Sequence, residues 1–370
     1  MEKKLLSTAI AGALAATMSL AANADVTVYG NVNTSLDAVD VDGGEDDVNM
    51  SSNTSSFGFK GSEDLGNGLK AIFQAEFQFN ADEREGGDGS GSITDRDQWV
   101  GLAGNFGKLR FGTLSTAYKS HGAMVDPIYR TSLQGRDHGL QSRLHGGANG
   151  AGGRLDNQIR YDSPEIMGFG LIVNYAFDSQ DNGNAPEARN DGDDTYGIGI
   201  HYNNGPILAF ADYLTSDAGG EDEVYKIGGS YSMGPFGFYG QYEFDEGLIS
   251  ANGTGVTPSA SNASNQVDGA DVWHLGASYT MGNTLAYFAY GMGDDDSSAT
   301  DTEYDAWTLA VDHRLSKRTD VYGGFTQIDC DGNCVAGGAV SGGALTSSGT
   351  SDFSTFTSGE VDFFSVGIRH

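Results

Sequence analysis

The sequence predicts an all-β fold: a sixteen-stranded antiparallel transmembrane β-barrel. Three observations carry this reading. In "LKAIFQAEFQFN" (69–80), Leu69, Ala71, Phe73, Ala75, Phe77 and Phe79 fall on one side of an extended chain, and Lys70, Gln74, Glu76, Gln78 and Asn80 on the other, with Ile72 the exception. Side chains alternate across a strand with period two, so this stretch is a strand with one apolar face and one wet face. Sixteen stretches of this kind follow one another, an even number. The connections between them alternate, one short and the next long, as in an up-and-down barrel whose two ends face different compartments.

The elements follow in chain order. Residues 1–24 read as a signal peptide: Glu2-Lys3-Lys4, an apolar run from Leu5 to Leu20, and Ala22-Asn23-Ala24 with the small-x-small spacing of a cleavage site. A membrane anchor fits poorly, because the run has about 16 residues and a spanning helix needs ~20. Residues 25–370 then form the barrel. Its strands are predicted in "VTVYGNVNTSLDAV", "SSFGFKGS", "LKAIFQAEFQFN", "RDQWVGLAG", "GKLRFGTL", "NQIRYDS", "FGLIVNYAF" and "TYGIGIHY". They continue in "ILAFADYL", "EVYKIGGSYSM", "FGFYGQYEF", "DVWHLGASYT", "NTLAYFAYGM", "DAWTLAVDHRL", "DVYGGFTQI" and "VDFFSVGIRH". "LGNG", "NFG", "MG", "NNG", "MGP", "MGN" and "SKR" are tight turns of the kind that close hairpins. The intervening connections, such as "DVDGGEDDVNM", "ADEREGGDGSGS" and "GDDDSSATDTE", are long and acidic.

The composition agrees. There are 51 acidic against 20 basic side chains, 56 glycines and 6 prolines, yet 11% of the residues are aromatic. A closed barrel leaves no unpaired backbone edge in hydrocarbon, so the apolar face looks into lipid and the wet face inward. Trp99, Phe169, Tyr175, Phe177, Trp273, Tyr279 and Trp307 are expected on the outer wall. A soluble β-sandwich would show the same alternation but not the alternating connection lengths. The two cysteines, Cys330 and Cys334 in "DCDGNC", are expected to form a local disulfide in an exported chain. A calcium loop is the sharper idea for that stretch. It fails because the glycine falls fourth, not sixth, and Val340 stands where a bidentate glutamate is needed.

"GFKGSEDLGNGLKAIFQAE" (58–76), "VGLAGNFGKLRFG" (100–112) and "IRYDSPEIMGFG" (159–170), with the opening "DVTVYG" and closing "VGIRH", resemble the general porins of Gram-negative bacteria. The resemblance implies a sixteen-stranded homotrimeric barrel with short periplasmic turns and long external loops. Its third loop would fold into the channel and narrow it. Here that loop runs from about Ser115 to Asp156. The resemblance places Arg96 and Arg160 on the wall facing the loop. Asp126 is the best-placed loop carboxylate and Arg130 a loop arginine, and these residues make the expected constriction. Lys70, Glu76 and Arg110 are expected to face the lumen. The chain departs from the family's pattern at Ser56 and Thr113, where arginines are common, and it lacks the loop motif "PEFGG". It stops at His370 where members end on phenylalanine: either the chain is truncated by a residue or two or the assembly signal is atypical.

The implied activity is passive diffusion of small hydrophilic solutes, with no cofactor. The implied partners are further copies of the chain, outer-membrane lipid and lipopolysaccharide, and the barrel-assembly machinery; nucleic acid is not among them. An enzymatic barrel would need a serine beside one of the histidines. His201, His274 and His313 lie on predicted strands and His121, His138 and His145 in the third loop, none within a G-x-S-x-G signature. A calcium-binding solenoid would need tandem repeats, and "EGGDGSGSITD" occurs once. From Ser115 to Asp156, Lys119, Arg130, Arg136, Arg143 and Arg154 outnumber Asp126, Asp137 and Asp156. The constriction is therefore expected to be basic within an acidic molecule.

Overall fold

The computed structural model describes residues 25–42, 46–82, 93–145, 153–177, 194–216, 222–245, 270–295, 302–331 and 359–370. The segment read as a signal peptide lies outside these. Eighteen strands are present among the described residues. They are β1 (Asp25–Asn31), β2 (Asn33–Val41), β3 (Asp47–Ser52), β4 (Ser56–Gly66), β5 (Leu69–Phe79), β6 (Ile93–Gly104), β7 (Gly107–Ser115), β8 (Arg154–Asp162) and β9 (Phe169–Ala176). The second half comprises β10 (Thr195–Asn204), β11 (Ile207–Ser216), β12 (Asp222–Met233), β13 (Phe236–Asp245), β14 (Ala270–Met281), β15 (Thr284–Asp295), β16 (Thr302–Arg314), β17 (Asp320–Asp331) and β18 (Gly359–Arg369).

The count exceeds sixteen because the first expected strand is broken and because a further strand, β3, forms largely within the stretch "DVDGGEDDVNM" that reads as a long connection. The first divides at Val32 into β1 and β2. The second expected strand is β4, and Asn53–Ser55 separate it from the added β3, with Thr54 at a left-handed φ of +56°. Buried polar groups hold this break: Asn53 Nδ2 donates to Ser35 Oγ and to the Tyr322 hydroxyl, and the Asn33 amide donates to Ser55 Oγ. Every strand pairing is antiparallel, and from β4 to β18 each strand pairs with the next in sequence. β1 pairs with β4, β2 with β3, and β18 returns to β2 from Val361↔Val41 to Arg369↔Asn33. The pairings thus run round a barrel and come back to their start. At the tight ends Gly205, Gly234 and Gly282 open their turns with φ of +60°, a conformation glycine adopts without a steric cost.

The two faces differ as period two requires. Val28, Val100, Ile200, Leu275, Leu309 and Phe364 stand exposed on the outer face. The inner face is covered in part by the connection between β7 and β8, which holds the short helix α1 (Ala117–Gly122) and three 3-10 turns. Thr116 caps α1, its hydroxyl accepting from the Lys119 amide at 3.2 Å. Ile128, Leu133 and Leu140 of this connection bury against Val39, Tyr287, Tyr304, Tyr322 and Phe363 of the wall. Each such aliphatic side chain contributes about 1.5–3 kcal/mol to keeping the connection inside. Gly199 makes room for it: a Cβ there would meet Asp212 Oδ1 at 2.3 Å and Ala117 Cβ at 2.8 Å.

One aromatic is not where alternation puts it. Trp99 pairs in register with Gln74 and Gly112, and the Arg110 guanidinium lies over its ring at 5.1 Å, so Trp99 faces inward. The cause is a bulge. Ala75 pairs with Gln98 and Phe77 with Asp95, so Arg96 and Asp97 together oppose Glu76. The extra residue resets the alternation, and Arg96 shares the inner face with Trp99 instead of opposing it.

Candidate pore constriction

Glu76 on β5 is the centre of the first cluster. Arg96 Nε donates to its Oε1 at 2.5 Å, Arg130 NH2 approaches the same oxygen at 3.3 Å, and the Tyr29 hydroxyl donates to Oε2 at 2.9 Å. Arg96 also donates to Gln78 Oε1 at 2.6 Å. Arg130 reaches the wall from the connection with a left-handed backbone, φ +67°. Its amide donates to Gln134 Oε1 and its carbonyl accepts from Asn33 Nδ2, which fix that conformation at both ends. The Arg130 side chain is 30% exposed against 8% for Arg96 and Glu76, so it presents the cluster's charge to water.

Asp162 centres the second cluster, at the end of β8 that leads into the short connection to β9. Arg110 and Arg160, paired in register on β7 and β8, both donate to it. Arg160 also donates to the carbonyl of Ser115 at 2.5 Å and to Ser120 Oγ at 3.0 Å, tying the wall to the start of the connection. Both clusters hold two guanidiniums against one carboxylate. Arg154 adds a separate pair with Asp97 at 2.5 Å. Asp97 was not singled out from the sequence; strict alternation hides it, and only the bulge beside Glu76 brings it to this face.

Asp126 departs from its expected role. It is buried, and its two oxygens accept from the amides of Ile128 at 3.1 Å and Gly135 at 2.9 Å. It braces the connection from within and presents no charge to a channel; burial pushes its carboxyl up to about 6. Lys119 is buried too, its Nζ donating to the His145 carbonyl at 2.5 Å. Burial holds its ammonium well below the ordinary lysine range, and Arg136, Arg154 and Arg96 push it the same way. Lys70 lies on the face of Glu76 but opposite Asp64 near the short turn, and it joins neither cluster. The Arg143 side chain and Cys334 lie outside the described residues; Cys330 is buried at the end of β17.

The inner face is therefore a polar, arginine-bearing surface partly covered by an inserted segment, inside a barrel whose outer face is apolar. A model of the Gram-negative porin family matches residues 8–333. The chain belongs to that family. Among its curated relatives, outer membrane porin protein 32 of Delftia acidovorans is 31% identical over 339 residues, covering 87% of this chain and 88% of the relative. A solved structure described as an anion-selective porin from Comamonas acidovorans matches with a TM-score of 0.70 and 24% identity, covering 94% of this chain and 99% of that one. The trimer form of the Vibrio cholerae outer membrane protein OmpT matches with a TM-score of 0.62 and 16% identity over 94% of this chain and 99% of that one. This porin resides in the outer membrane, and its barrel is a channel.

Proposed function

We propose that this porin passes small hydrophilic solutes and ions by passive diffusion, through a constriction formed by the segment from Ser115 to Asp156 facing the wall arginines. Glu76 and Asp162, each shared by two arginines, carry the reading: each cluster keeps one unit of positive charge in surplus. Selectivity in a channel follows the charges at its narrowest point. Asp40 and Asp47, at the facing ends of β2 and β3, and Asp42 and Asp46 between them stand for an acidic vestibule away from the constriction. The Debye length is about 30 Å at 0.01 M salt and about 3 Å at 1 M, so vestibule charge acts only in dilute salt. The pore is weakly anion-selective in concentrated salt and shifts towards cations on dilution.

Reversal potentials across a planar bilayer under a salt gradient test this. Arg96→Ala or Arg160→Ala moves the concentrated-salt value towards cations. Strong cation selectivity in molar salt, unchanged by either substitution, overturns it.

The protein works without a catalytic step. His121 Nδ1 meets Asp212 Oδ1 at 2.6 Å, like the base half of a hydrolase triad, but its Nε2 faces His201 Nδ1 at 3.1 Å where a nucleophile is required. Incubation with phospholipid vesicles releases no fatty acid; release would end this reading. The working assembly is a homotrimer embedded in lipid and lipopolysaccharide and inserted by the barrel-assembly machinery, with Cys330 and Cys334 bridged in the last long loop. The trimer form of the Vibrio cholerae relative supports the assembly.

A further inference from the structure

Apart from both arginine clusters, three charged residues lie side by side on the inner faces of adjacent strands. Asp212 on β11 pairs in register with Lys226 on β12, and Lys226 with Glu243 on β13. All three are buried, Lys226 and Glu243 completely, and Lys226 Nζ lies 3.3 Å from Asp212 Oδ2. Each grips the inserted segment. Asp212 holds the His121 ring. Lys226 donates to the Tyr118 carbonyl and approaches His145 Nε2 at 3.1 Å, and its Nζ lies 3.8 Å from the centre of the Tyr118 ring. Glu243 accepts from the Tyr118 hydroxyl and from both the amide and hydroxyl of Ser142.

Tyr118 belongs to the beginning of the segment, and Ser142 and His145 to its end. The wall triad therefore fastens both ends of one loop at one place. We propose that Lys226, flanked by Asp212 and Glu243, is the positioning residue that sets the pore's aperture, by pinning the two ends of the inserted segment to the wall. This rests on the reading that the segment narrows the channel.

The force is electrostatic and can be told apart from packing. With Lys226 in place, one ammonium serves two buried carboxylates. Without it, two buried carboxylates stand on either side of an apolar gap, and a buried charge lacking its partner draws in water or a proton. The other titratable and charged groups around the triad are Tyr118, Lys119, His121, Arg136 and His145 on the segment, Lys119 and Arg136 both donating to the His145 carbonyl, with His201 on β10 and His274 on β14. A proton taken by a carboxylate or by any of these histidines supplies the missing positive charge, since His145 Nδ1 lies 3.7 Å from Glu243 Oε2. Acid should therefore repair the loss of Lys226.

The experiment is single-channel recording of full-length Lys226→Met at neutral and acid pH, beside the wild type and the neutral triple variant Asp212→Asn/Lys226→Met/Glu243→Gln. Lys226→Met loses the single conductance level of the wild type at neutral pH, opening to larger and fluctuating levels, and regains it in acid. The triple variant, which lacks the ammonium and both carboxylates, fluctuates less than Lys226→Met at neutral pH, and its levels do not change between neutral and acid pH. A Lys226→Met channel indistinguishable from wild type at neutral pH overturns the proposal, and so does a loosened one that acid does not restore. If Lys226→Met alone fails to insert, a triple variant that inserts and conducts with levels independent of pH sustains the charge argument, and one that also fails refutes it. A wild type without channels would instead refute the channel reading itself.

Discussion

Glu76→Gln isolates the charge at the first arginine cluster. Glutamine keeps a carbonyl for Arg96 at 2.5 Å and offers its amide to the Tyr29 oxygen at 2.9 Å, so the geometry survives while one negative charge is lost. Arg96 and Arg130 then stand without a carboxylate between them. A unit charge about 4 Å from a passing ion is worth about 1 kcal/mol in water. Screening leaves roughly two-thirds of this at 0.1 M, where the Debye length is ~10 Å, and about a quarter at 1 M. Each 1.4 kcal/mol is tenfold, and the change acts on anion and cation with opposite signs, so the ratio of permeabilities rises by up to about tenfold at 0.1 M and two- to threefold at 1 M. Glu76 sits behind Arg130, with 8% of its side chain exposed against 30%, which places the expected shift towards the lower end. Reversal potentials measured at both salt concentrations provide the assay. No change at 0.1 M, or a shift towards cations, refutes the assignment of this cluster to the narrowest part of the pore.

Asp126 gives a pH prediction. Its folded value of about 6 lies above the ordinary 3.8, so the folded segment holds this proton more tightly than the unfolded chain. The stabilisation is complete below about pH 4 and is lost as pH rises through 6. Protease protection of the segment should thus fall between pH 4 and pH 7 in the wild type and less in Asp126→Asn; identical profiles would remove Asp126 as the cause. Thiol labelling of the unreduced protein should find neither Cys330 nor Cys334 reactive, and two reactive thiols would disprove the bridge. In detergent, unboiled protein should migrate as a compact oligomer and boiled protein near or just below the 38.8 kDa of the whole chain; a single monomeric species before heating would rule out the trimer.

The fold was legible because lipid outside and water inside impose opposite demands on alternate residues, and a strand writes these demands into its sequence with period two. Legibility stops where the backbone leaves that period for a local reason. The breaks at Val32 and Asn53–Ser55 serve buried hydrogen bonds between residues far apart in the chain, Asn53 with Tyr322 among them. The bulge at Arg96 and Asp97 has no signal of its own in "TDRDQW", and it is what turns Trp99 inward. Asp126 could have been read better. In Asp126-Pro127-Ile128 the carboxylate accepts from the amide two residues on, the turn that an Asp-Pro pair favours, and a carboxylate so engaged is not facing a channel.

The wall triad shows the limit most plainly. A two-residue turn fixes the register of the strands it joins, so Gly234-Pro235 between Met233 and Phe236 already sets Lys226 opposite Glu243. Asp212 reaches Lys226 across a longer connection, whose length does not dictate register, and that half of the triad had to come from the folded barrel. A barrel sequence thus specifies neighbours across its short turns and leaves neighbours across its long loops to packing. The inserted segment supplies such packing here, because Tyr118, His121, Ser142 and His145 fit only if β11, β12 and β13 present their charges at one level. Segment and register therefore specify each other, and a residue that holds the segment in place also helps hold the wall in register.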